Sequence, residues 1–160
     1  MRAAHVGIIM EWRLQADDAR HAPHAREAFT EFLHTSCKET SDFAAAEIIF
    51  GELVCNVVEH APGPISIGLR LDAQGLVTLE VCDSGPGFTL AASLPASAYT
   101  ERGRGLYIVS QLGTDLAATN TTQGARVSVV LPVEAEIVRL HLVLEIQSVG
   151  DSGHNAQVVL

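Results

Sequence analysis

The sequence predicts an α/β two-layer sandwich, with helices packed on one face of a mixed, mostly antiparallel sheet. Two long segments place apolar residues three or four positions apart, which is the pattern of a helix with one buried face. Two pairs of strand-like segments are each joined by a short polar turn, which favours antiparallel neighbours. The chain has 160 residues and is 48% hydrophobic. That length and apolar content suit one domain, in which each layer buries the apolar face of the other.

The first two elements are a strand and a helix. Residues 6–15 contain an apolar run in which Trp12 and Leu14 alternate with charged neighbours, and this alternation predicts a strand. Over residues 24–38 apolar side chains recur at helical spacing, which predicts an amphipathic helix. Pro23 fits the first turn of that helix, where a missing backbone N–H costs nothing.

A second helix and a pair of strands follow. Ser41 or Asp42 can cap the helix at its start, and Pro62 marks its end. Segments 65–71 and 76–83 are apolar and alternating, and the residues between them are turn formers. They predict two adjacent strands.

The second half of the chain begins with an irregular segment. Residues 84–103 are rich in glycine, proline, serine and alanine, and a long segment of this kind inside a domain is usually functional. Helical spacing returns over 105–112. Strand patterns over 115–120 and 126–132 then flank a polar turn, which predicts a last pair of strands.

These elements divide the chain into three parts. Residues 1–10 are predicted to be an N-terminal extension or the start of the first strand. Residues 11–133 are predicted to form the folded domain. Residues 134–160 differ in character, with an apolar run followed by a polar, glycine-containing end, and are predicted to be a C-terminal add-on.

Charge and composition exclude several classes of function. The net charge of −9 repels phosphate backbones, so direct binding of nucleic acid is not expected. The single lysine, Lys38, is not preceded by glycine, which excludes a P-loop. Cys37, Cys55 and Cys82 form no CxxC pair and indicate buried thiols in a reducing cytosol. No segment approaches about 18 consecutive apolar residues and no signal peptide is apparent, so we expect a cytoplasmic protein without a membrane span.

The second predicted helix carries a polar stripe. At about 100° per residue, Glu52, Asn56 and the pair Glu59 and His60 share one face. Such a stripe is either a solvated face or a site with oxygen ligands. An asparagine carbonyl suits Mg²⁺, which is usually held by one or two protein oxygens together with substrate phosphates. A glutamate one turn earlier could serve as a general base.

Two glycine-containing motifs follow. Asp83, Gly85 and Gly87 lie at the end of a predicted strand. These residues suit a plain turn, or a site where a carboxylate accepts the amine of adenine and glycines let the backbone approach it.

The second motif runs from Arg102 through Gly103, Arg104 and Gly105 to Leu106, directly before the helix predicted over residues 105–112. It suits a flexible basic loop end, or a helix N-terminus that binds phosphate.

The order of these motifs resembles that of a known superfamily. A helix with E-L-x-x-N-x-x-x-H-A is followed by D-S-G-P-G-F after a strand, a long loop, and E-R-G-R-G-L at a helix start. Over about residues 11–133 the chain resembles the ATP-binding domain of the GHKL superfamily, which includes gyrase, Hsp90, histidine kinases and MutL. Within it, these patterns are most similar to bacterial anti-sigma-factor serine/threonine kinases. The resemblance implies the Bergerat ATP-binding fold with a lid over ATP.

The resemblance also implies a role for each matching residue. Asn56 would ligate a Mg²⁺ ion that bridges the phosphates, and Asp83 would receive the adenine amine. Residues 88–102 would form the lid, and Glu52 would be the catalytic base. The residues expected to bind ATP are Asn56, Asp83, Gly85, Gly87, Arg102, Gly103, Arg104, Gly105 and Leu106.

The implied function is that of an ATP-dependent serine/threonine protein kinase acting as an anti-sigma factor. It would phosphorylate a STAS-type anti-anti-sigma protein with Mg-ATP and bind a sigma factor, as a homodimer. A non-catalytic ATP-binding switch and the catalytic domain of a histidine kinase are the alternatives. Glu52 favours the serine kinase, because a serine hydroxyl needs a base. A phospho-accepting histidine on a separate preceding helix is not apparent, which argues against the histidine kinase.

One position departs from the pattern of the family. Its last strand often begins with glycine and threonine, and the threonine helps to bind adenine. Here the pair is Gly124 and Ala125. This departure weakens one contact with the nucleotide, which Thr121 or Thr122 could replace, and we expect ATP binding to persist.

Overall fold

The structure, a computed structural model, describes residues 5–15, 22–60, 63–84, 104–122 and 124–137. They form a five-stranded sheet and three helices, which confirms the predicted α/β class. In chain order the elements are β1 (His5–Gln15), α1 (Ala22–Ser36), α2 (Phe43–His60), β2 (Pro64–Asp72), β3 (Leu76–Asp83), α3 (Arg104–Leu112), β4 (Thr114–Thr121) and β5 (Gly124–Glu134).

The strand order in the sheet is β1-β2-β3-β5-β4. All four pairings between the described strands are antiparallel. The predicted hairpins β2–β3 and β4–β5 are both present. The last strand inserts next to β3, so that the end of β3 and the start of β5 lie at the same end of the sheet.

The two faces of the sheet differ in polarity. Alternate residues of β2, β3 and β5 are fully buried, and Ile67, Leu79 and Val129 have no exposed surface. The helices pack on this side, where α2 contacts both other helices as well as β3 and β5. Phe50 of α2 stacks on Phe29 of α1 with ring centroids 4.4 Å apart. The opposite face carries polar and charged side chains.

The start of α2 determines the direction in which that helix crosses the sheet. Of the two predicted capping residues, Asp42 is the cap: its Oδ1 accepts a hydrogen bond from the backbone N–H of Ala45 at 3.0 Å. The backbone N–H of Asp42 also donates to the carbonyl of Pro132 at 3.0 Å, near the end of β5. Helix α2 therefore runs antiparallel to β5 and ends where β3 ends and β5 begins.

The three cysteines differ in environment. Cys37 is buried, and burial raises the pKa of its thiol to about 12. Cys82 is half-buried on β3. The prediction of buried thiols is wrong for Cys55, which is exposed because it lies on the outward face of α2. Within the part of the chain that the structure describes, no helix is long and apolar enough to cross a membrane.

Candidate functional site

The polar stripe predicted on the second helix is present on α2. Glu52 and Asn56 lie one turn apart and are both half-buried, while Leu53 and Val57 beside them point into the core. The apolar periodicity of the helix produces this arrangement, because the buried side leaves only one face for polar residues. The side chains of Glu59 and His60 lie outside the described residues.

Neither Glu52 nor Asn56 has a side-chain partner among the residues that the structure describes. No hydrogen bond or ion pair joins the Glu52 carboxylate or the Asn56 amide to another described residue. Among the other half-buried acidic side chains that the structure describes, Glu11, Glu47, Asp72, Glu80 and Glu134 each accept a hydrogen bond or form an ion pair. A carboxylate held partly away from water without a partner is costly. A carboxylate in this position is available to bind a ligand or to act on one.

Helix α3 lies directly on Glu52. A Cβ atom added to Gly105, in the first turn of α3, would be 2.6 Å from Oε2 of Glu52 and 3.8 Å from its Cβ. With the Glu52 carboxylate in this position, there is no room for a side chain at residue 105. Arg104 beside it is exposed and Leu106 is half-buried. We call Glu52, Asn56 and Gly105 the helix end of the site.

The far end of α3 is fixed in a similar way. A Cβ atom on Gly113 would lie 3.0 Å from the carbonyl oxygen of Val130 on β5 and 3.3 Å from Cδ1 of Ile49 on α2. It would also overlap the side chain of Val129. Glycines at both ends of α3 therefore let this helix pack closely against α2 and the sheet.

The second part of the site is where β3 ends and β5 begins. Arg126 of β5 pairs with Cys82 of β3. Asp83 is the residue after Cys82, and Gly124 is two residues before Arg126, so the two lie close together. A Cβ atom on Gly124 would lie 2.7 Å from the backbone carbon of Asp83 and 2.8 Å from Cα of Ser84. Gly124 also has φ +140°, a conformation that favours glycine. Two backbones are thus in direct contact here.

Ala125 is next to this contact. It is 3% exposed and belongs to the same alternating set as the buried residues of β5. Ile65 of β2 pairs with Asp83, which places the Asp83 side chain on the helix side of the sheet as well. Asp83 is half-buried. We call Asp83, Gly124 and Ala125 the strand end of the site.

Helix α2 connects the two ends. From Glu52 to the last residue of α2 the helix rises about 12 Å. Just beyond it, a Cβ atom on Gly63 would lie 3.2 Å from Oγ of Ser84, the residue after Asp83. Asn56 therefore lies between the first turn of α3 and the strand end. The fold thus places Arg104, Gly105 and Leu106 at the Glu52 end, and Asn56 one turn further along α2 toward the end of the sheet where Asp83 lies.

Some predicted residues cannot be placed in this arrangement. Gly85, Gly87, Arg102 and Gly103 lie outside the described residues, as do the predicted lid residues 88–102. Their roles stay predictions. In contrast, the contact of Gly124 with Asp83 was not predicted from the sequence. Pairing the predicted strands 76–83 and 126–132 as neighbours would have revealed it.

Asn56 is the residue of the site that could contribute to a metal centre. The described residues contain no group of three or more His, Cys, Asp or Glu side chains that could enclose an ion. Asn56 offers a hard oxygen ligand that has no partner within the described part of the chain. This set fits Mg²⁺, because Mg²⁺ commonly takes one or two ligands from the protein and the others from water and substrate phosphates.

Comparison with known families agrees with this geometry. The sequence model of the histidine kinase-like ATPase domain family matches residues 14–131. No curated protein sequence matches the chain. The chain belongs to the histidine kinase-like ATPase domain family, and ATP is the ligand that this membership supports.

Proposed function

We propose that this histidine kinase-like ATPase domain is a serine/threonine protein kinase that acts as an anti-sigma factor in the cytoplasm. It phosphorylates an anti-anti-sigma protein of the STAS type and binds a sigma factor, as a homodimer. One observation carries the kinase assignment. Glu52 is a half-buried carboxylate without a partner among the described residues, and it lies against the helix start where phosphate is expected.

The strand end suits the purine. The carboxylate of Asp83 on the helix side of the sheet can accept a hydrogen bond from the exocyclic amine of adenine. The close contact between Gly124 and Asp83 fixes the backbone that carries this carboxylate. A purine at this end directs the phosphates along α2 toward Asn56 and the first turn of α3.

The helix end suits the phosphates and the proton transfer. Backbone N–H groups at the start of α3 and the Arg104 side chain attract the phosphates. Asn56 would hold Mg²⁺, which when bound neutralises charge on the phosphates. The hydroxyl oxygen of the substrate forms a bond to the γ-phosphorus as the bond to the ADP oxygen breaks. Its proton passes to the Glu52 carboxylate. General base catalysis of this kind contributes about 10²–10⁴-fold.

Transfer of labelled phosphate from ATP tests this assignment. The protein is incubated with labelled ATP, Mg²⁺ and candidate anti-anti-sigma proteins, and Glu52→Gln is compared with the unaltered protein. We expect Glu52→Gln to lower the rate of transfer about 10²–10⁴-fold while ATP still binds. The matched control is Glu47→Gln on the same helix. Glu47 is also half-buried but accepts a hydrogen bond from Thr30 at 2.9 Å, and glutamine keeps an oxygen there.

Asn56→Ala tests the proposed metal ligand independently of the proposed base, Glu52. It should weaken ATP binding in the presence of Mg²⁺ and have little effect when the metal is chelated. Transfer by Glu52→Gln at the unaltered rate would contradict the role of Glu52. ATP binding without transfer to any candidate protein would instead favour a non-catalytic switch. A sigma factor that fails to bind in any nucleotide state would contradict the anti-sigma role.

A further inference from the structure

Helix α2 carries a row of uncharged residues on the side that points away from the sheet. Its core side is buried, one flank meets α1 through Glu47 and Thr30, and the other flank meets α3 through Glu52. The residues that remain on the outward side recur at helical spacing. We call them the outward stripe: Ala44, Ile48, Gly51 and Cys55.

The outward stripe faces open space within the described part of the chain. Ile48 is 46% exposed, whereas Ile49 beside it is fully buried. Ala44 and Cys55 are exposed as well. A Cβ atom added to Gly51 would meet nothing within 4 Å. The stripe therefore has the composition of a buried surface, but no described residue covers it.

The described part of the chain ends next to the start of α2. The backbone N–H of Glu136 donates to the carbonyl of the last residue of α1 at 2.7 Å. Asp42, just before α2, donates from its backbone N–H to the carbonyl of Pro132 at 3.0 Å. The link between α1 and α2 therefore runs beside the end of β5. Because Ala44 is two residues after Asp42, the stripe begins close to where the chain continues beyond Ile137.

The sequence that continues from there has the apolar content and the length to cover the stripe. Ile137 is 41% exposed, and seven of the ten residues in 137–146 are apolar. Residues 138–147 span up to about 33 Å when extended. From Ala44 to Cys55 the helix rises about 17 Å. The segment is therefore long enough to reach the stripe and to run along it.

A second exposed apolar residue lies near the same end of the sheet. Leu76, at the start of β3, is 44% exposed and pairs with Glu134 of β5. The face of the sheet that carries Leu76 also holds the ion pair of Arg70 and Glu80. Covering charged groups with apolar side chains is costly, whereas the outward stripe has no charge. The stripe is therefore the better surface for an apolar segment.

We infer that residues 138–147 pack on the outward stripe of α2, so that the occupant of this surface is a segment of the same chain. The packed segment covers Ile48 and Cys55 and keeps Arg139 close to the domain. The inference goes beyond the proposed function and does not depend on nucleotide binding.

Limited digestion with trypsin tests the inference. Arg139 is the only lysine or arginine in residues 138–160, so cleavage there releases a single fragment that mass spectrometry identifies. Ile48→Asp places a charge in the middle of the stripe. It should raise the rate of cleavage after Arg139 about tenfold, because proteases cut a segment faster once it leaves the surface.

Leu76→Asp is the matched control, since it places the same charge on the other exposed apolar residue. It should leave the rate of cleavage after Arg139 unchanged. Faster cleavage in Leu76→Asp alone would place the segment on the polar face of the sheet and overturn the inference. Equal rates in the two variants, whether raised or unaltered, would also overturn it.

Labelling of Cys55 with a maleimide gives a second test in which the change is made in the segment. Leu142→Asp combined with Leu144→Asp should release the segment and raise the rate of Cys55 labelling about tenfold. The matched control is Val158→Asp combined with Leu160→Asp, which adds the same charges outside the inferred segment. It should leave the rate of labelling unchanged.

Peptide mapping identifies which thiol reacts. Cys37 is buried, so it should stay unlabelled in each variant that remains folded. An unaltered rate for Cys55 in the variant with two aspartates in the segment would contradict the inference. If the rate instead falls as protein concentration rises, a second copy of this chain covers the stripe and the inference fails.

Discussion

The strand end and the helix end of the candidate site both depend on a glycine, but the two glycines contact different kinds of atoms. Gly124 lies against the backbone of Asp83 and Ser84, which neither residue can withdraw. Gly105 lies against the tip of the Glu52 side chain, which can rotate away. A missing side chain therefore serves the fold at one end and the placement of a carboxylate at the other. We therefore expect a substitution of Gly124 to lower mainly the stability of the protein, and a substitution of Gly105 to lower mainly the rate of phosphoryl transfer.

The largest effect is expected at the strand end, for Gly124→Ala. The new methyl group would overlap the backbone at Asp83, and alanine disfavours φ +140°. The two costs together should lower the free energy of unfolding by about 3 kcal/mol or more. Urea unfolding measures this loss, and isothermal calorimetry should show that ATP affinity falls with it.

Gly68→Ala is the control for that substitution. Gly68 is also in a strand, but an added Cβ atom would meet only the carbonyl oxygen of Met10, at 3.9 Å. Its free energy of unfolding should change by about 1 kcal/mol or less. If Gly124→Ala is as stable as this control, the backbone contact does not hold the strand end together.

An intermediate effect, on rate rather than stability, is expected at the helix end for Gly105→Ala. The methyl group would push the Glu52 carboxylate out of its place. The misplaced base should slow phosphoryl transfer about 10²-fold. The free energy of unfolding should change by only about 1 kcal/mol, because alanine favours a helix and Glu52 can yield.

Gly51→Ala on α2 is the matched change for the helix end. An added Cβ atom there meets nothing within 4 Å. This variant should retain the unaltered rate and unfold at slightly higher urea concentration. Equal rates for Gly105→Ala and Gly51→Ala would show that the position of Glu52 is unimportant for transfer.

The smallest effect is expected from Ala125→Thr, which restores the residue that the resemblance leads us to expect. A hydroxyl beside Asp83 can add one hydrogen bond to bound adenine, which corresponds to about fivefold in ATP affinity. Ala125→Val adds the same volume without the hydroxyl. Calorimetric titration should therefore show tighter binding for threonine than for valine. Equal affinities would place the missing adenine contact elsewhere.

Local patterns in the sequence predicted most of the fold. The elements begin and end within a few residues of their predicted bounds, because apolar periodicity and turn residues act over short distances. The choice between Ser41 and Asp42 as the cap of α2 could not be made in this way. Both can cap, but the hydroxyl oxygen of Ser41 accepts a hydrogen bond from the N–H of Glu134, at the end of β5. Only the packed chain brings that partner near.

In the candidate site, too, some features follow from local sequence patterns and others only from the packed chain. Its residue types and their order were readable from the sequence, and so was the shared face of Glu52 and Asn56, since helical geometry alone requires it. The contacts of Gly105 with Glu52 and of Gly124 with Asp83 join residues far apart in the chain. They follow from the packing of α3 on α2 and of β5 beside β3. Contacts between residues so far apart in the sequence are determined by the packing of the whole core rather than by neighbouring residues. The sequence by itself determined which chemical groups are available, and the tertiary structure decided which of them meet.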